Sequence, residues 1–267
     1  MHRSSVRRRW LSAGTGIVLG CAMVVSDIAA AAPVQVLDLI PVEDVYVDEA
    51  APDSNFATML SGGNVVENNL LRTRSDGSLF STAGRNTNRI SFLKFSFAGL
   101  PATAQITGAV LNLFQTYTQT VPAGTSHDVL IYRLAHDGWN EDSLTWNSAE
   151  ALMIDPLFGA APLERYRINA ARPASGLQQV DLLALADGEA WSAGADLADG
   201  LLTLAIVLQD TAPLVVGSNT LYQTAEFPSS AGYVTQRPFL AISYVPLPPA
   251  ALLMLPAALV LARRRRR

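Results

Sequence analysis

The sequence predicts an all-β protein, an antiparallel β-sandwich of the jelly-roll type with one short helix. Three observations support this fold class. Apolar residues in the body of the chain recur with a period of two rather than 3.6. Clusters of Gly, Pro, Asn and Asp separate these runs at spacings typical of a sandwich. The body, from residue 33 to residue 244, is long enough for one large domain with a complete core.

The predicted strands are short alternating or apolar runs bounded by turn residues. They cover residues 42–48, 89–97, 106–117, 129–134, 201–208 and 239–245. Between them, Gly62-Gly63-Asn64, Asp76-Gly77 and Gly99-Leu100-Pro101 mark turns. One helix is predicted over residues 182–193, with Asp181 as its N-cap and an end near Gly194. Residues 148–175 form the least regular part of the predicted domain.

The N-terminal residues carry an export pattern. Arg3 and the arginines at 7–9 are followed by an apolar run over 11–25, and small residues at 29–32 offer an A-x-A cleavage site. Residues 1–32 are therefore predicted to be a signal peptide. The arginine run loosely matches a twin-arginine signal and Cys21 ends a loose lipobox, so the choice between Sec and twin-arginine export stays open.

The C-terminal residues 245–267 predict transient anchoring in the inner membrane. Residues 249–262 are apolar, but they fall short of the roughly 20 residues that cross a ~30 Å hydrocarbon core, and Pro256 interrupts them. Arginines that follow such a segment stay on the cytoplasmic side. The body, residues 33–244, is then expected outside the cell membrane.

This tail resembles the PEP-CTERM sorting signal of Gram-negative bacteria. The resemblance implies that an exosortase-type membrane peptidase removes the tail, and that the protein reaches the cell surface or the extracellular matrix. An ordinary tail anchor is the alternative. The residues that carry the resemblance are the Val-Pro-Leu-Pro variant of the motif, Val245, Pro246, Leu247 and Pro248, and the cluster Arg263, Arg264, Arg265, Arg266 and Arg267.

Four blocks of the body also resemble a known family. They are Asp44-Val45-Tyr46-Val47, Phe92-Leu93-Lys94-Phe95, the tryptophan block W-N-E-D-S-L-T-W-N at 139–147, and residues 237–244. Residues 42–244 are similar to the DNRLRE-type domain, which is related to the family 96 carbohydrate-binding modules. The resemblance implies a β-sandwich that binds polysaccharide, in some members an acidic one. Two departures are the missing six-letter motif and the missing basic residue at 226–230, before the last strand.

Charge and side-chain chemistry restrict the partners. The formal net charge is −4 with the basic ends included, and no basic stripe occurs in the body, which excludes nucleic acid as a partner. Acidic sugars are bound by arginine and lysine through charge-assisted hydrogen bonds. Arg89 and Lys94 are five residues apart and are expected on opposite faces of a regular strand. The candidate carbohydrate-binding residues are Arg72, Arg74, Arg85, Arg89 and Lys94, and the family resemblance points most directly to Arg72, Arg89 and Lys94.

No cofactor is predicted, and calcium is the alternative. Asp44, Asp48, Asp53 and Asn55 form an oxygen-rich cluster, of which Asp44, Asp53 and Asn55 are the calcium candidates, and Glu141, Asp142 and Asn147 could join a calcium site or hold a turn. Calcium takes six to eight oxygen ligands, and no contiguous spacing here supplies them. The sequence predicts that the two tryptophans of the tryptophan block, Trp139 and Trp146, belong to the core rather than to a stacking platform.

The chain is not predicted to be an enzyme. Outside the signal peptide it has two histidines, His127 and His136, no cysteine and none of the common catalytic motifs. The sequence thus predicts an exported, non-catalytic surface or extracellular-matrix protein of a Gram-negative bacterium that binds polysaccharide. The alternatives are a structural biofilm or adhesion protein without a sugar site and, third, a polysaccharide lyase or hydrolase.

Overall fold

A computed structural model describes residues 32–61, 64–67, 70–75, 88–101, 103–118, 126–157, 159–169, 176–183, 191, 194–210, 218–223 and 236–246. These residues form strands that pair antiparallel throughout. The strands are β1 (Gln35–Leu39), β2 (Glu43–Asp48), β3 (Thr58–Ser61), β4 (Asn64–Glu67), β5 (Leu70–Ser75), β6 (Arg89–Ser96), β7 (Ala104–Thr118), β8 (Ser126–Leu134), β9 (Glu164–Asn169), β10 (Gly176–Asp181), β11 (Leu201–Asp210), β12 (Ser218–Gln223) and β13 (Phe239–Pro246).

Hydrogen bonds join the strands in the order β1-β13-β7-β12-β5-β6-β11-β8-β9. In addition, β10 pairs with β7 and β2 pairs with β6, while β3 and β4 form a separate hairpin. The prediction of an all-β antiparallel sandwich is confirmed. Each of the six predicted strands is present, and β7 and β8 extend a few residues further than expected.

Two apolar cores lie on the two faces of one set of strands. Leu93 and Phe95 of β6 point into the first core, which also takes side chains from β7, β8, β11 and β13. Ile90 and Phe92 point the other way, into a second core. Because β6 is buried on both faces, apolar residues occupy both faces of the strand, Ile90 and Phe92 on one and Leu93 and Phe95 on the other.

A helical segment covers the second core. It consists of α1 (Trp146–Ala149), a π-helical turn (Glu150–Ile154) and a 3-10 turn (Asp155–Leu157). Thr145 caps α1: its Oγ1 accepts from Ser148 N at 3.2 Å, and Ser148 Oγ accepts from Thr145 N at 2.9 Å. Most of this segment falls in residues 148–175, predicted to be the least regular part of the domain, because each helical piece is too short for a helical period to be visible in the sequence.

The predicted helix over residues 182–193 can be compared with the structure only at 182, 183 and 191, because 184–190, 192 and 193 lie outside the described residues; Leu182 and Leu183 form a turn and Trp191 is not helical. Asp181 ends β10, and its Oδ1 accepts from Leu183 N at 2.9 Å. The observed helix, α2 (Gly194–Asp199), begins where the predicted one ends. Gly200 follows it with a φ of 84°, the left-handed conformation in which helices often terminate.

The two terminal segments are outside the described residues, except for the start of the C-terminal motif. Val245 and Pro246 belong to β13, where they pair with Gln105 and Ala104 of β7. Within the described ranges, no helix has the length and apolar character needed to cross a membrane. Leu247, Pro248 and the arginines at 263–267 are not described.

Candidate functional site

Strand β6 changes its neighbour near its first residue. From Ser91 to Ser96 it pairs with β11 along one edge, while at Arg89 it lies opposite Arg74 of β5. Along the other edge β6 pairs with β2, and Asp48 lies opposite Arg89. Directly opposed residues of an antiparallel pair point to the same face. This junction therefore brings Arg74, Arg89 and Asp48 together.

The charge of Arg89 is compensated within the domain. Its Nε donates to Asp48 Oδ2 at 2.6 Å, and the side chains are 18% and 6% exposed. Asp48 Oδ1 also accepts from Ala50 N at 3.0 Å, so the carboxylate is fixed by two donors. Arg89 can still offer its remaining guanidinium donors to a ligand, but with a reduced net charge.

Arg72 and Arg74 project from the half-exposed face of β5. Leu71, Thr73 and Ser75, which alternate with the two arginines along the strand, are buried. The guanidinium carbon of Arg72 lies 5.6 Å from the centre of the Tyr46 ring, a cation–π contact. The Nε atoms of both arginines are buried without a hydrogen-bond partner, and no carboxylate in the described part of the chain pairs with either residue.

Arg72, Arg74 and Arg89 are called the arginine cluster below. Its aromatic support is itself fixed, because Tyr46 stacks on Phe56 with ring centres 4.5 Å apart. The cluster combines two cations without a described counter-ion and a third that is ion-paired. Arg85, the remaining arginine candidate, lies outside the described residues.

Lys94 lies on the opposite face of β6, as its spacing from Arg89 predicted, because the β2–β6 register is regular from Glu43 to Asp48. The side chain is buried under the tryptophan block. Its Nζ donates to Glu43 Oε2 at 2.8 Å and to the Trp139 carbonyl oxygen, and lies 4.6 Å from the centre of the Trp139 ring. Lys94 is thus separated from the arginine cluster by the sheet.

Trp139 and Trp146 are 5% and 3% exposed and belong to the second core. Trp139 Nε1 donates to Thr203 Oγ1 of β11 at 3.0 Å. The prediction that both tryptophans are core residues is confirmed.

Two of the candidate calcium ligands, Asp53 and Asn55, form hydrogen bonds that link the segment after β2 to the tryptophan block. Asn55 Nδ2 donates to the carbonyl oxygens of Glu141 and Leu144 at 2.6 and 2.9 Å. Asp53 Oδ1 accepts from Asn147 Nδ2 at 2.6 Å. These hydrogen bonds hold the turn, which is the structural alternative that the sequence left open.

Asp44 is another candidate calcium ligand. Its backbone N donates to Glu141 Oε2 at 2.9 Å, which adds another link between β2 and the tryptophan block. Among the described residues, no group of three or more His, Cys, Asp and Glu side chains is arranged to hold a metal ion. Calcium binding stays a prediction.

Sequence reasoning missed two parts of the arginine cluster. The first is Tyr46 beneath Arg72, and the second is the apposition of Arg74 and Arg89. The alternation of β2 indicates that Tyr46 and Asp48 share a face, but nothing in the sequence indicates which strand lies beside β2. The contacts depend on pairings between segments that are far apart in the chain.

Residues 35–157 match carbohydrate-binding module family 96. This family 96 match contains the arginine cluster, Lys94 and the tryptophan block, and it supports a carbohydrate-binding-module-like domain. It ends at Leu157, so β9 to β13 lie beyond it, although the resemblance noted in the sequence extended to residue 244. A comparison with curated proteins gives no match.

Proposed function

We propose that this domain is a non-catalytic module that binds an acidic polysaccharide through the arginine cluster. The observation that carries the proposal is the pair Arg72 and Arg74, whose Nε atoms are buried and have no hydrogen-bond partner in the described residues. A buried donor without a partner is energetically unfavourable. Both side chains are half-exposed, so a shift of either guanidinium toward the surface would let a bound carboxylate satisfy that donor.

The spacing of the two arginines suits a polymer with repeated charge. Same-face neighbours on a strand are about 6.6 Å apart, so Arg72 and Arg74 present two planar guanidinium groups in a row. Tyr46 restrains Arg72 on one side, which lowers the conformational entropy that binding must remove. The family 96 match over the same residues agrees with a carbohydrate ligand.

For the whole chain we propose an exported surface or extracellular-matrix protein of a Gram-negative bacterium. The support is the signal-peptide pattern over 1–32 and the motif, apolar segment and arginines of 245–267. In this proposal the tail anchors the chain transiently in the inner membrane, and an exosortase-type peptidase removes it. The DNRLRE-type resemblance of the body belongs to the same proposal.

A structural matrix or adhesion protein without a sugar site is the second candidate. Its support is that Arg89 and Lys94 are used internally, in ion pairs with Asp48 and Glu43. Two of the four described cationic candidates then contribute to stability rather than to ligand binding. The two candidates differ in what Arg72 and Arg74 do.

Affinity electrophoresis separates the two functions. The domain is run through native gels that contain alginate, polygalacturonate or neutral dextran. We expect retardation in at least one acidic gel and none in dextran, and added salt should reduce it because exposed charges are screened within about 10 Å at 0.1 M. In the double variant Arg72→Ala, Arg74→Ala we expect affinity to fall by about tenfold per arginine.

Arg165→Ala is the matched control for the loss of one positive charge. Arg165 is exposed on β9 and 3.7 Å from Asp128, which keeps two closer hydrogen bonds from Arg167. We expect Arg72→Ala to weaken retardation and Arg165→Ala to leave it nearly unchanged. Equal effects of the two variants would indicate nonspecific attraction. A folded domain that no acidic gel retards would favour the structural candidate.

A further inference from the structure

The segment that covers the second core contains a small cavity on the far side of β6 from the arginine cluster. Its volume is about 230 Å³, below the roughly 300–1,000 Å³ of pockets for drug-sized ligands. The cavity lies between the turn at His136–Gly138 and the helical segment that begins at Trp146. A single sugar ring fits a space of this size better than a stretch of polymer does.

The floor and the mouth of the cavity differ in chemistry. Trp139, Leu144 and Met153 form an apolar floor, and all three are at most 5% exposed. The mouth is polar, with the half-buried His136 and the exposed Asn140 and Ser143. An apolar floor with polar groups at the rim matches a pyranose, which has C–H groups on its faces and hydroxyl groups around its edge.

Part of the polar mouth is free to bind a ligand. Asn140 Oδ1 accepts from Asp142 N at 2.9 Å, which fixes the side chain. Its Nδ2 has no hydrogen bond to any described residue, and neither has the imidazole of His136. Ser143 Oγ donates to Asn140 O at 3.3 Å and keeps its own lone pairs available. Donors and acceptors are thus present on one rim, as recognition of adjacent hydroxyl groups requires.

The lining includes no Lys, Arg, Asp or Glu. A charged sugar would find no counter-ion there, and a neutral one would not need one. We propose that this cavity binds the uncharged terminal sugar residue of a glycan chain. The inference adds a site to the proposed function and does not depend on the arginine cluster, which lies on the other face of β6.

Gly138 provides a way to reduce the cavity without disturbing the backbone. A Cβ at this position would lie 3.5 Å from His136 Cε1, an ordinary van der Waals distance. Gly138→Ala therefore adds a methyl group at the mouth, in contact with the imidazole of His136. His136→Ala removes the imidazole itself. Gly194→Ala is the matched control, because a Cβ there would meet nothing within 4 Å.

The test is saturation-transfer-difference NMR on the full-length chain in a detergent without a sugar headgroup. The probes are glucose, galactose, mannose and N-acetylglucosamine, followed by a trisaccharide and a hexasaccharide of any sugar that binds. We expect at least one neutral sugar to bind, with an affinity that changes less than twofold with added salt or chain length. His136→Ala should weaken binding about tenfold and Gly138→Ala about threefold, while Gly194→Ala should not.

Three results would overturn the inference. One is the absence of a signal from every neutral probe with the chain shown to be folded by circular dichroism. Another is binding that both cavity variants leave unchanged. The third is binding that salt and the Arg72→Ala, Arg74→Ala variant abolish, which would assign the sugar to the arginine cluster and leave the proposed function intact. Conversely, cavity binding without retardation by acidic gels would support this site and count against the arginine cluster.

Discussion

At the scale of single residues, two basic side chains on neighbouring strands, Lys94 of β6 and Arg72 of β5, lie in different environments. Lys94 is buried, with Glu43 and the Trp139 carbonyl oxygen as acceptors. Arg72 is half-exposed and rests on an aromatic ring, without a described carboxylate partner. Both are basic residues, so residue type alone does not separate candidate binding residues from structural ones.

We predict that Lys94→Ala lowers the free energy of unfolding by about 3 kcal/mol, because removal of a buried ion-pair partner leaves uncompensated polar groups. Arg72→Ala should change it by less than about 1 kcal/mol, because Arg72 forms no ion pair in the described structure. Urea denaturation followed by tryptophan fluorescence measures both values. An equal loss of stability in the two variants would contradict the assignment of Lys94 to the interior.

Tyr132 of β8 gives a pH-dependent prediction. Burial in the second core raises the pKa of its phenol from 10.0 to about 12. The unfolded chain therefore loses this proton first, and the contribution of Tyr132 to stability is complete below pH 10 and disappears as the pH rises to about 12. We expect the stability of Tyr132→Phe to fall less steeply over this range, measured by urea denaturation. Parallel curves for the two proteins would refute it.

The sequence could predict part of the candidate site. Residue parity correctly separated Arg89 from Lys94, because a strand alternates its faces wherever its register is regular. The neighbours of Arg89 could not be predicted. Asp48 and Arg74 reach it through pairings of β2 and β5 with β6, and the order of strands in a sheet is decided by packing of the whole domain.

At the scale of elements, the strands were predictable and the short helices were not. A period of two over six or more residues identifies a strand such as β13. Helix α2 spans only six residues, so it has less than two turns in which a period could appear. What holds it in place is a buried side chain, Asp196, whose carboxylate the sequence pattern gave no reason to single out.

Asp196 links α2 to the distant strand β8 and to Trp191, five residues earlier in the chain. Arg133 of β8 donates to both of its carboxylate oxygens, at 2.5 and 2.8 Å, and Trp191 Nε1 donates to Oδ2 at 2.6 Å. The Asp196 side chain is fully buried, while Arg133 is 28% exposed. The hydrogen bond from Arg133 to Asp196 raises the pKa of the guanidinium.

We predict that Asp196→Asn destabilises the domain by about 3 kcal/mol, because it removes the counter-ion of a partly buried guanidinium. Arg133→Met should cost at least as much as Asp196→Asn, because it leaves the fully buried Asp196 carboxylate without its counter-ion. A double-mutant cycle measured by thermal unfolding gives the coupling energy of the pair. A coupling energy near zero would mean that Asp196 acts through Trp191 alone.

At the scale of the whole molecule, the two cores restrict the surfaces that are open to a ligand. The strands β2, β6, β8 and β11 contribute side chains to a core on one or both faces, so those faces are largely closed to a polymer. The arginine cluster lies where β6 changes its neighbour, and the proposed cavity lies in the segment that covers the second core. Both are places where the regular sheet is interrupted.

The first and last described strands are neighbours in the sheet. Gln35 of β1 lies opposite Tyr244 of β13, and Tyr244 Oη donates to Gln35 Oε1 at 2.8 Å. The two ends of the domain therefore leave it side by side. A short peptide linker would therefore be enough to join the end of β13 to the start of β1.

A circular permutant should consequently fold. If a few glycines join Pro246 to Pro33 and the chain is opened between β7 and β8, every strand pair can still form, because the new peptide crosses a gap between adjacent strands. We expect cooperative thermal unfolding and a wild-type far-ultraviolet spectrum, and a permutant without a cooperative transition would disprove it. The same closeness of ends lets the domain be inserted as a unit into a surface loop of another protein, so its position within a longer polypeptide is not fixed by its fold.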